Sequence, residues 1–190
     1  MKLLLVYDTT EGQTQKIARF VADHLAQQGH DATVVNAMAA VLPEPREFDA
    51  VIIAASLHAG HYQSSVIHFV SRHLAAIDVR PNAFLSVSLA AASEDRDDIE
   101  GLEGCVCEFT HRTGWTPRHI HHVAGAFRYM SYDFMKRWAM KYIAYRKGAP
   151  TDTSRDHELT DWADLARFIE AFLADEASAR VGPRSPAVRR

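Results

Sequence analysis

The stretch Leu3-Leu4-Leu5-Val6-Tyr7-Asp8-Thr9-Thr10-Glu11-Gly12-Gln13-Thr14 decides the fold of this chain. It reads as an apolar strand, then a turn rich in hydroxyl groups, then the start of an amphipathic helix. In α/β proteins this order holds a phosphate, because the first N–H groups of a helix lack intrahelical partners and the helix dipole favours an anion. The stretch therefore predicts a phosphate site made of Thr9, Thr10, Glu11, Gly12, Gln13 and Thr14.

The turn lacks the features of two common nucleotide-binding motifs. It contains no lysine, which excludes the G-x-x-x-x-G-K-[ST] loop, and it is not a G-x-G-x-x-G dinucleotide fingerprint. An ordinary helix cap is the alternative, in which Thr10 or Thr14 caps the helix and no ligand binds. The turn alone leaves both interpretations open.

The composition is that of a folded domain with modest charge. The chain has 190 residues, 47% of them hydrophobic, and a net charge of −3. These values favour one globular domain and do not indicate nucleic-acid binding. One residue separates Cys105 from Cys107, a spacing that disfavours a disulfide and favours cytosolic thiols. No apolar run reaches the roughly 18 residues of a membrane span and no signal-peptide pattern is visible, so we expect a cytoplasmic protein.

Strand and helix patterns alternate along the chain, which predicts an α/β fold with a parallel sheet. Five strands suit the order 2-1-3-4-5, in which ligands bind at the carboxyl ends of strands one and three. The predicted strands are Lys2–Tyr7, Asp31–Asn36, Ala50–Ala55, Ala83–Leu89 and Arg118–Ala124. Helices are predicted from about Gln13 to Gln28, from Ser65 to Ile77, up to about Arg112, and from Thr160 to about Ala174. Thr160 is the predicted N-cap of the last helix, and Asp161 is an acid in its first turn.

Two further loops are expected to join the turn at that edge of the sheet. Their small residues let the backbone reach a flat ligand, and we expect Leu57, His58 and Tyr62 to cover the faces of that ligand. The first loop follows strand three and contributes Ser56, Leu57, His58, Ala59 and Gly60, with His61 and Tyr62 after them. The second follows strand four and contributes Ser88, Leu89, Ala90 and Ala91.

These motifs resemble the flavodoxin superfamily, and more closely the bacterial menaquinone-dependent protoporphyrinogen IX dehydrogenases. The resemblance implies a flavodoxin-like three-layer sandwich that binds FMN, with residues 1–176 as the domain and 177–190 as a disordered tail. The matching stretches are Glu11-Gly12-Gln13-Thr14, Ala55-Ser56-Leu57-His58-Ala59-Gly60-His61-Tyr62, Ala124-Gly125-Ala126-Phe127-Arg128-Tyr129 and Thr151-Asp152-Thr153 with Thr160-Asp161-Trp162.

The same resemblance implies an activity in haem biosynthesis. An FMN-dependent oxidoreductase of this kind dehydrogenates protoporphyrinogen IX to protoporphyrin IX and passes the electrons to menaquinone or ubiquinone. No side chain is assigned as an essential acid or base. The alternatives are a flavodoxin that carries electrons between protein partners and a non-catalytic module that docks on membranes.

An inserted segment, residues 127–150, separates strand five from the last helix. Aromatic residues recur in it at helical spacing, and basic residues lie largely on the other face, a pattern typical of a helix on a membrane surface. Packing on the domain or a homo-oligomer interface would produce the same pattern, but the resemblance favours peripheral attachment to the cytoplasmic membrane. The aromatic residues are Phe134, Trp138, Tyr142 and Tyr145, and the basic residues are Lys136, Arg137, Lys141 and Lys147.

Histidines offer the remaining candidate ligands. His119 and His121 share one face of strand five, but no third ligand has convincing spacing, so packing is favoured and no metal site is predicted. His58 and His61 either shape their loop or bind the flavin or substrate propionates. Arg128 and Lys136 are further candidates for the propionates.

Overall fold

The computed structural model describes residues 1–127 and 157–181 of the chain. Within them, five parallel strands form one sheet in the order β2-β1-β3-β4-β5, as the sequence predicts. The central strands β1, β3 and β4 are apolar along nearly their whole length because helices cover both of their faces. The strands are β1 Lys2–Asp8, β2 Asp31–Asn36, β3 Ala50–Ser56, β4 Asn82–Ser88 and β5 His119–Ala124.

Helices form a layer on each face of the sheet, which confirms the three-layer architecture. Contacts pair α1 with α4 and α2 with α3. None of the helices in the described part of the chain combines the length and the apolar character needed to cross a membrane. The helices are α1 Gln13–Gln27, α2 Ser64–Asp78, α3 Arg96–Thr113 and α4 Trp162–Val181.

The two layers bury different kinds of side chain. The α1–α4 layer packs mainly aliphatic residues, such as Leu5 and Ile17, against one face of the sheet. The core under α2 and α3 combines aliphatic residues with a larger share of aromatic ones, and the rings of Phe84 and Phe109 stack with centroids 4.7 Å apart and planes 5° apart. Trp115, fully buried, meets both of these rings edge-on. Because successive side chains of a strand point to opposite faces of the sheet, the strands contribute residues to two separate cores.

The last helix begins later and ends later than the sequence predicts. Asp161 caps α4, since its Oδ1 accepts the Asp164 N–H at 2.9 Å, so the prediction of Thr160 as the N-cap and Asp161 as a first-turn acid is wrong. The Thr160 hydroxyl instead donates to the Ala124 carbonyl at 2.7 Å. The helix continues to Val181, so residues 177–181 of the predicted disordered tail are helical, and residues 182–190 lie outside the described part.

A short ribbon lies where the inserted segment leaves and rejoins the domain. Strand β6, Ala126–Phe127, pairs antiparallel with β7, His157–Glu158. The rest of the predicted basic aromatic segment lies outside the described residues, so its helix stays a prediction.

The strand histidines pack against α4. The ring of His121 stacks on Phe168 with centroids 4.5 Å apart, and its Nε2 lies 3.3 Å from Asp164 Oδ2. His119 meets Phe172 edge-on at 5.4 Å. No group of three or more metal-ligating side chains forms among residues 1–127 and 157–181. On α3, Cys105 and Cys107 are free thiols.

Candidate functional site

A cleft of about 600 Å³ lies at the carboxyl ends of the central strands. The sheet order brings the turns after β1, β3 and β4 to this one edge, where the chain reverses its direction of winding. Its lining consists of Thr9, Thr10, Glu11, Gln13, Thr14, Ser56, Leu57, His58, Ala59, Gly60, Val87, Ser88, Leu89, Ala90, Gly125 and Ala126.

Nearly all the residues predicted for the site line this cleft. Gly12 and Ala91 do not line it but shape the turns, and His61 and Tyr62 do not line it either. Sequence reasoning missed Val87, Gly125 and Ala126. The last two extend the wall past β5, where the Gly125 N–H bonds the Ser88 carbonyl at 2.9 Å. The glycine in Ala124-Gly125-Ala126 was the available signal.

The first turn begins α1 without any side-chain cap. Gly12 is the cap residue with φ +89°, a left-handed conformation that favours glycine. Its N–H donates to Thr9 Oγ1 at 2.9 Å, and its carbonyl accepts the Lys16 N–H at 3.2 Å. The alternative in which Thr10 or Thr14 caps the helix is therefore wrong.

Thr14 carries the clearest sign of a missing partner. Its side chain is fully buried, and Oγ1 has no hydrogen-bond partner among the described residues. An unpaired buried hydroxyl costs about 1–3 kcal/mol. The first N–H groups of α1, from Gln13 to Gln15, also have no acceptor within their helix. A ligand that supplies hydrogen-bond acceptors, above all an anion, fits this arrangement.

Polar contacts from the end of β1 and the start of α2 hold the turn. Asp8, at the end of β1, accepts the Thr9 N–H on Oδ1 at 2.6 Å and the Ser65 hydroxyl on Oδ2. Gln63, which precedes α2, donates from Nε2 to Thr10 Oγ1 at 3.3 Å and to Ser56 Oγ. The start of α2 thus fixes both the first turn and the end of β3.

Lys16 and Glu158 neutralise each other beside the turn, whereas Glu11 lines the cleft. Lys16 Nζ lies 2.8 Å from both carboxylate oxygens of Glu158, and Gln13 Nε2 donates to Glu158 Oε1 at 2.8 Å. Partial burial raises the pKa of the Glu158 carboxyl, but hydrogen bonds from Lys16 and Gln13 outweigh it and lower the pKa below its ordinary value. Because Lys16 is paired in this way, backbone N–H groups and hydroxyls are left to receive an anion.

The second turn is a two-residue hairpin. His58 and His61 exchange N–H···O bonds of 2.9 and 3.0 Å across Ala59 and Gly60. Both central residues have positive φ, +49° for Ala59 and +83° for Gly60. This geometry is that of a type I′ turn, and for alanine the left-handed conformation costs about 1–2 kcal/mol. The strain presents backbone and small side chains to the cleft.

Tyr62 does not cover the cleft, contrary to the sequence prediction. Its side chain is buried between α2 and α3, its OH lies 2.7 Å from Ser86 Oγ, and its ring meets Phe84 and Phe109 edge-on. Burial, only partly offset by the bond to Ser86, raises the pKa of Tyr62 to about 12. The aromatic core offers this ring more apolar contact than the cleft does.

The two histidines of the second turn point to different surroundings. His58 lines the cleft and is exposed. His61 does not line it, since its Nδ1 lies 3.5 Å from Glu108 Oε1 on α3. Of the pair, only His58 is placed to meet a ligand in the cleft.

Comparison with known proteins identifies relatives of this chain. The family described as Flavodoxin domain matches residues 4–154. The protoporphyrinogen IX dehydrogenase [quinone] of Escherichia coli K12 is 33% identical over 178 residues, which cover 93% of this chain and 98% of that protein. A Leishmania major protein with the same name is 29% identical, over 91% of this chain and 75% of its own length.

A solved structure agrees with the fold. Oxidised Flavodoxin 1 from Bacillus cereus superposes with a TM-score of 0.51, covering 92% of this chain and 98% of that one. Its sequence identity is 15%, so this likeness concerns the architecture alone.

Proposed function

This chain belongs to the flavodoxin domain family, and we propose that it is an FMN-dependent oxidoreductase that dehydrogenates protoporphyrinogen IX and delivers the electrons to a quinone. The support for a flavin comes from the family and from the cleft. The support for the substrate and the quinone comes from the names of relatives that match nearly the whole chain.

The unpaired Thr14 hydroxyl is the observation that carries the proposal. A fully buried hydroxyl at the start of a helix, beside unpaired N–H groups, is stabilised by a phosphate that accepts a hydrogen bond from it. We propose that the FMN phosphate binds at Thr9 to Thr14. The phosphate charge is then met by hydrogen-bond donors and by the helix dipole, without an unpaired lysine.

The flat ring is proposed to lie between the second and third turns. The wall there joins the hairpin turn, residues 58–61, to the loop at Ser88–Ala90, and Leu57, Val87 and Leu89 supply apolar surface. FMN, when bound, supplies the redox chemistry, and the protein orients it and limits the access of water. His58, exposed at the mouth, is placed to donate a hydrogen bond to a substrate propionate.

Transfer to a membrane quinone needs contact with the bilayer, for which only the sequence of the inserted segment offers support. Five basic and four aromatic residues from Phe134 to Lys147 have the composition of a surface-bound helix. We propose that this segment attaches the protein to the cytoplasmic membrane and bounds the porphyrin site.

Two measurements on the purified protein test this function in order. Titration with FMN, with riboflavin as the comparison, should show one tight site whose affinity depends on the phosphate. Anaerobic mixing of the FMN-loaded protein with protoporphyrinogen IX should then bleach the flavin absorbance as electrons arrive, and added quinone should restore it.

The outcomes separate the alternatives. Tight FMN binding without bleaching by protoporphyrinogen IX would contradict the dehydrogenase and favour an electron-carrying flavodoxin. Absence of FMN binding would contradict both functions and favour a non-catalytic module.

A further inference from the structure

Two hydroxyl groups of the cleft accept hydrogen bonds from the backbone. Thr9 Oγ1 accepts the Gly12 N–H at 2.9 Å, and Ser88 Oγ accepts the Ala91 N–H at 3.1 Å. Both residues line the cleft, and neither hydroxyl donates a hydrogen bond to an acceptor in the described residues. Their protons are therefore free for a ligand.

One side-chain amide donates hydrogen bonds to two more hydroxyls of cleft residues. Gln63 Nε2 donates to Thr10 Oγ1 and to Ser56 Oγ, which lie on different turns of the cleft. An N–H group occupies a lone pair of each oxygen, so each hydroxyl directs its proton elsewhere. With the unpaired Thr14 hydroxyl, five hydroxyls then present donors to the cleft.

We propose that Gln63 is a positioning residue that sets the polarity of the cleft by holding the Thr10 and Ser56 hydroxyls as donors toward the ligand. The inference rests on the proposed function, since the acceptors it serves are those of FMN. Through its hydrogen bond to Thr10, Gln63 acts on the phosphate site, and through its hydrogen bond to Ser56 it acts on the cleft at the end of β3.

The orientation of the amide matters because the opposite one reverses the effect. With Oε1 against the two hydroxyls, both would donate to Gln63, and their protons would leave the cleft. In the observed orientation Oε1 is buried and has no partner among the described residues. A ligand whose acceptors receive hydrogen bonds from both hydroxyls stabilises the observed orientation of the amide relative to the reversed one.

Gln63→Met tests this role because methionine keeps the length of the side chain and removes the amide. The variant should bind FMN about tenfold more weakly, whereas riboflavin affinity should change by less than about threefold, because Thr10 serves the phosphate. Its Tm without flavin should stay within about 4 °C of the wild type, since the unpaired Oε1 is removed together with the hydrogen bonds.

Gln28→Met is the matched control. Gln28 also donates a hydrogen bond from Nε2, to Glu170 Oε1 at 3.4 Å, but it lies at the far end of α1 and does not line the cleft. Its affinities for FMN and riboflavin should equal those of the wild type.

Gln63→Glu gives a signature that a structural role would not produce. Its ionised carboxylate only accepts hydrogen bonds and should draw both hydroxyl protons out of the cleft, whereas its protonated form has one O–H donor. The ratio of the variant's FMN Kd to that of the wild type should therefore fall as pH is lowered from about 6 to about 4, through the ordinary range of a glutamate. Both proteins bind the same phosphate, so the effect of phosphate titration on FMN affinity cancels in this ratio.

The outcomes separate this inference from the proposed function. If the wild type binds FMN and Gln63→Met binds it equally well, or loses FMN and riboflavin affinity together with its Tm, the role of Gln63 is refuted. A pH-independent ratio for Gln63→Glu would refute it as well. If the wild type does not bind FMN, the proposed function fails and the inference fails with it.

Discussion

Two turns that line the cleft differ in how their polar groups are paired. The first turn, residues 9–14, leaves polar groups unpaired, including the Thr14 hydroxyl and the first N–H groups of α1. In the hairpin turn, residues 58–61, the backbone groups of His58 and His61 pair with each other, and Ala59 is held in a strained conformation. The first turn thus leaves polar groups for the proposed ligand, whereas the backbone of the second pairs within the turn itself.

Gly12→Val should have the largest effect on this comparison. A β-branched residue at φ +89° strains the first turn, so we expect FMN affinity to fall on the order of 100-fold and stability by about 2 kcal/mol. Gly29→Val is the control, because Gly29 has φ +78° at the other end of α1. Flavin fluorescence titration and thermal unfolding should show similar destabilisation in both variants and lost affinity only in Gly12→Val. Equal affinities in the two would contradict a special role for the first turn.

Thr14→Val should separate ligand binding from stability. Valine keeps the shape and removes the unpaired hydroxyl, so the flavin-free protein should gain about 1 kcal/mol in free energy of unfolding while FMN affinity falls about tenfold. Thr113→Val is the matched control, since the buried Thr113 hydroxyl donates to the Phe109 carbonyl at 2.8 Å. Denaturant unfolding should show destabilisation of that variant. If Thr14→Val also destabilises the flavin-free protein, its hydroxyl already has a partner.

Substitutions in the hairpin turn should change stability by about 1 kcal/mol or less. Gly60→Ala places a side chain at φ +83° with no steric contact. It should cost about 1–2 kcal/mol through backbone strain, of which the reduced freedom of the unfolded chain offsets about 0.4–1 kcal/mol. For Ala59→Gly, relief of strain at φ +49° is offset by the greater freedom of the unfolded chain, and the net change should be near zero. Denaturant unfolding measures both, and a large loss in Ala59→Gly would show that alanine has a further role there.

A small pH effect should arise on β5, away from both turns. Burial lowers the pKa of His121 below 6.5, although Asp164 partly opposes it. Because the folded-state pKa is depressed, the contribution of His121 is complete above about pH 6.5 and is lost as pH falls through the lower folded-state value. His121→Phe keeps the stack on Phe168 and should lose less stability than the wild type on acidification. Unchanged acid sensitivity in unfolding titrations would refute this assignment.

Sequence alone predicts the sheet and most of the cleft. Strand order follows from the alternation of elements, and the turns after β1, β3 and β4 then meet by topology. Sequence could not place Tyr62, because its loop position suggests exposure, whereas Phe84 and Phe109 provide an aromatic pocket only in the folded protein.

Contacts between residues far apart in the sequence explain why the sequence does not identify Gln63 and Gly125 as parts of the site. Gln63 has no motif, and its importance appears only when β1 and β3 bring Thr10 and Ser56 within reach of one amide. Gly125 joins the wall because β5 ends beside β4, a register that local patterns do not encode.

A crystal structure of the FMN complex tests the central claim most directly. Our account predicts the phosphate within hydrogen-bond distance of Thr14 Oγ1 and of the first N–H groups of α1, with the ring against the hairpin turn at Ala59 and Gly60. A complex with the phosphate bound elsewhere and the Thr14 hydroxyl still unpaired would contradict it.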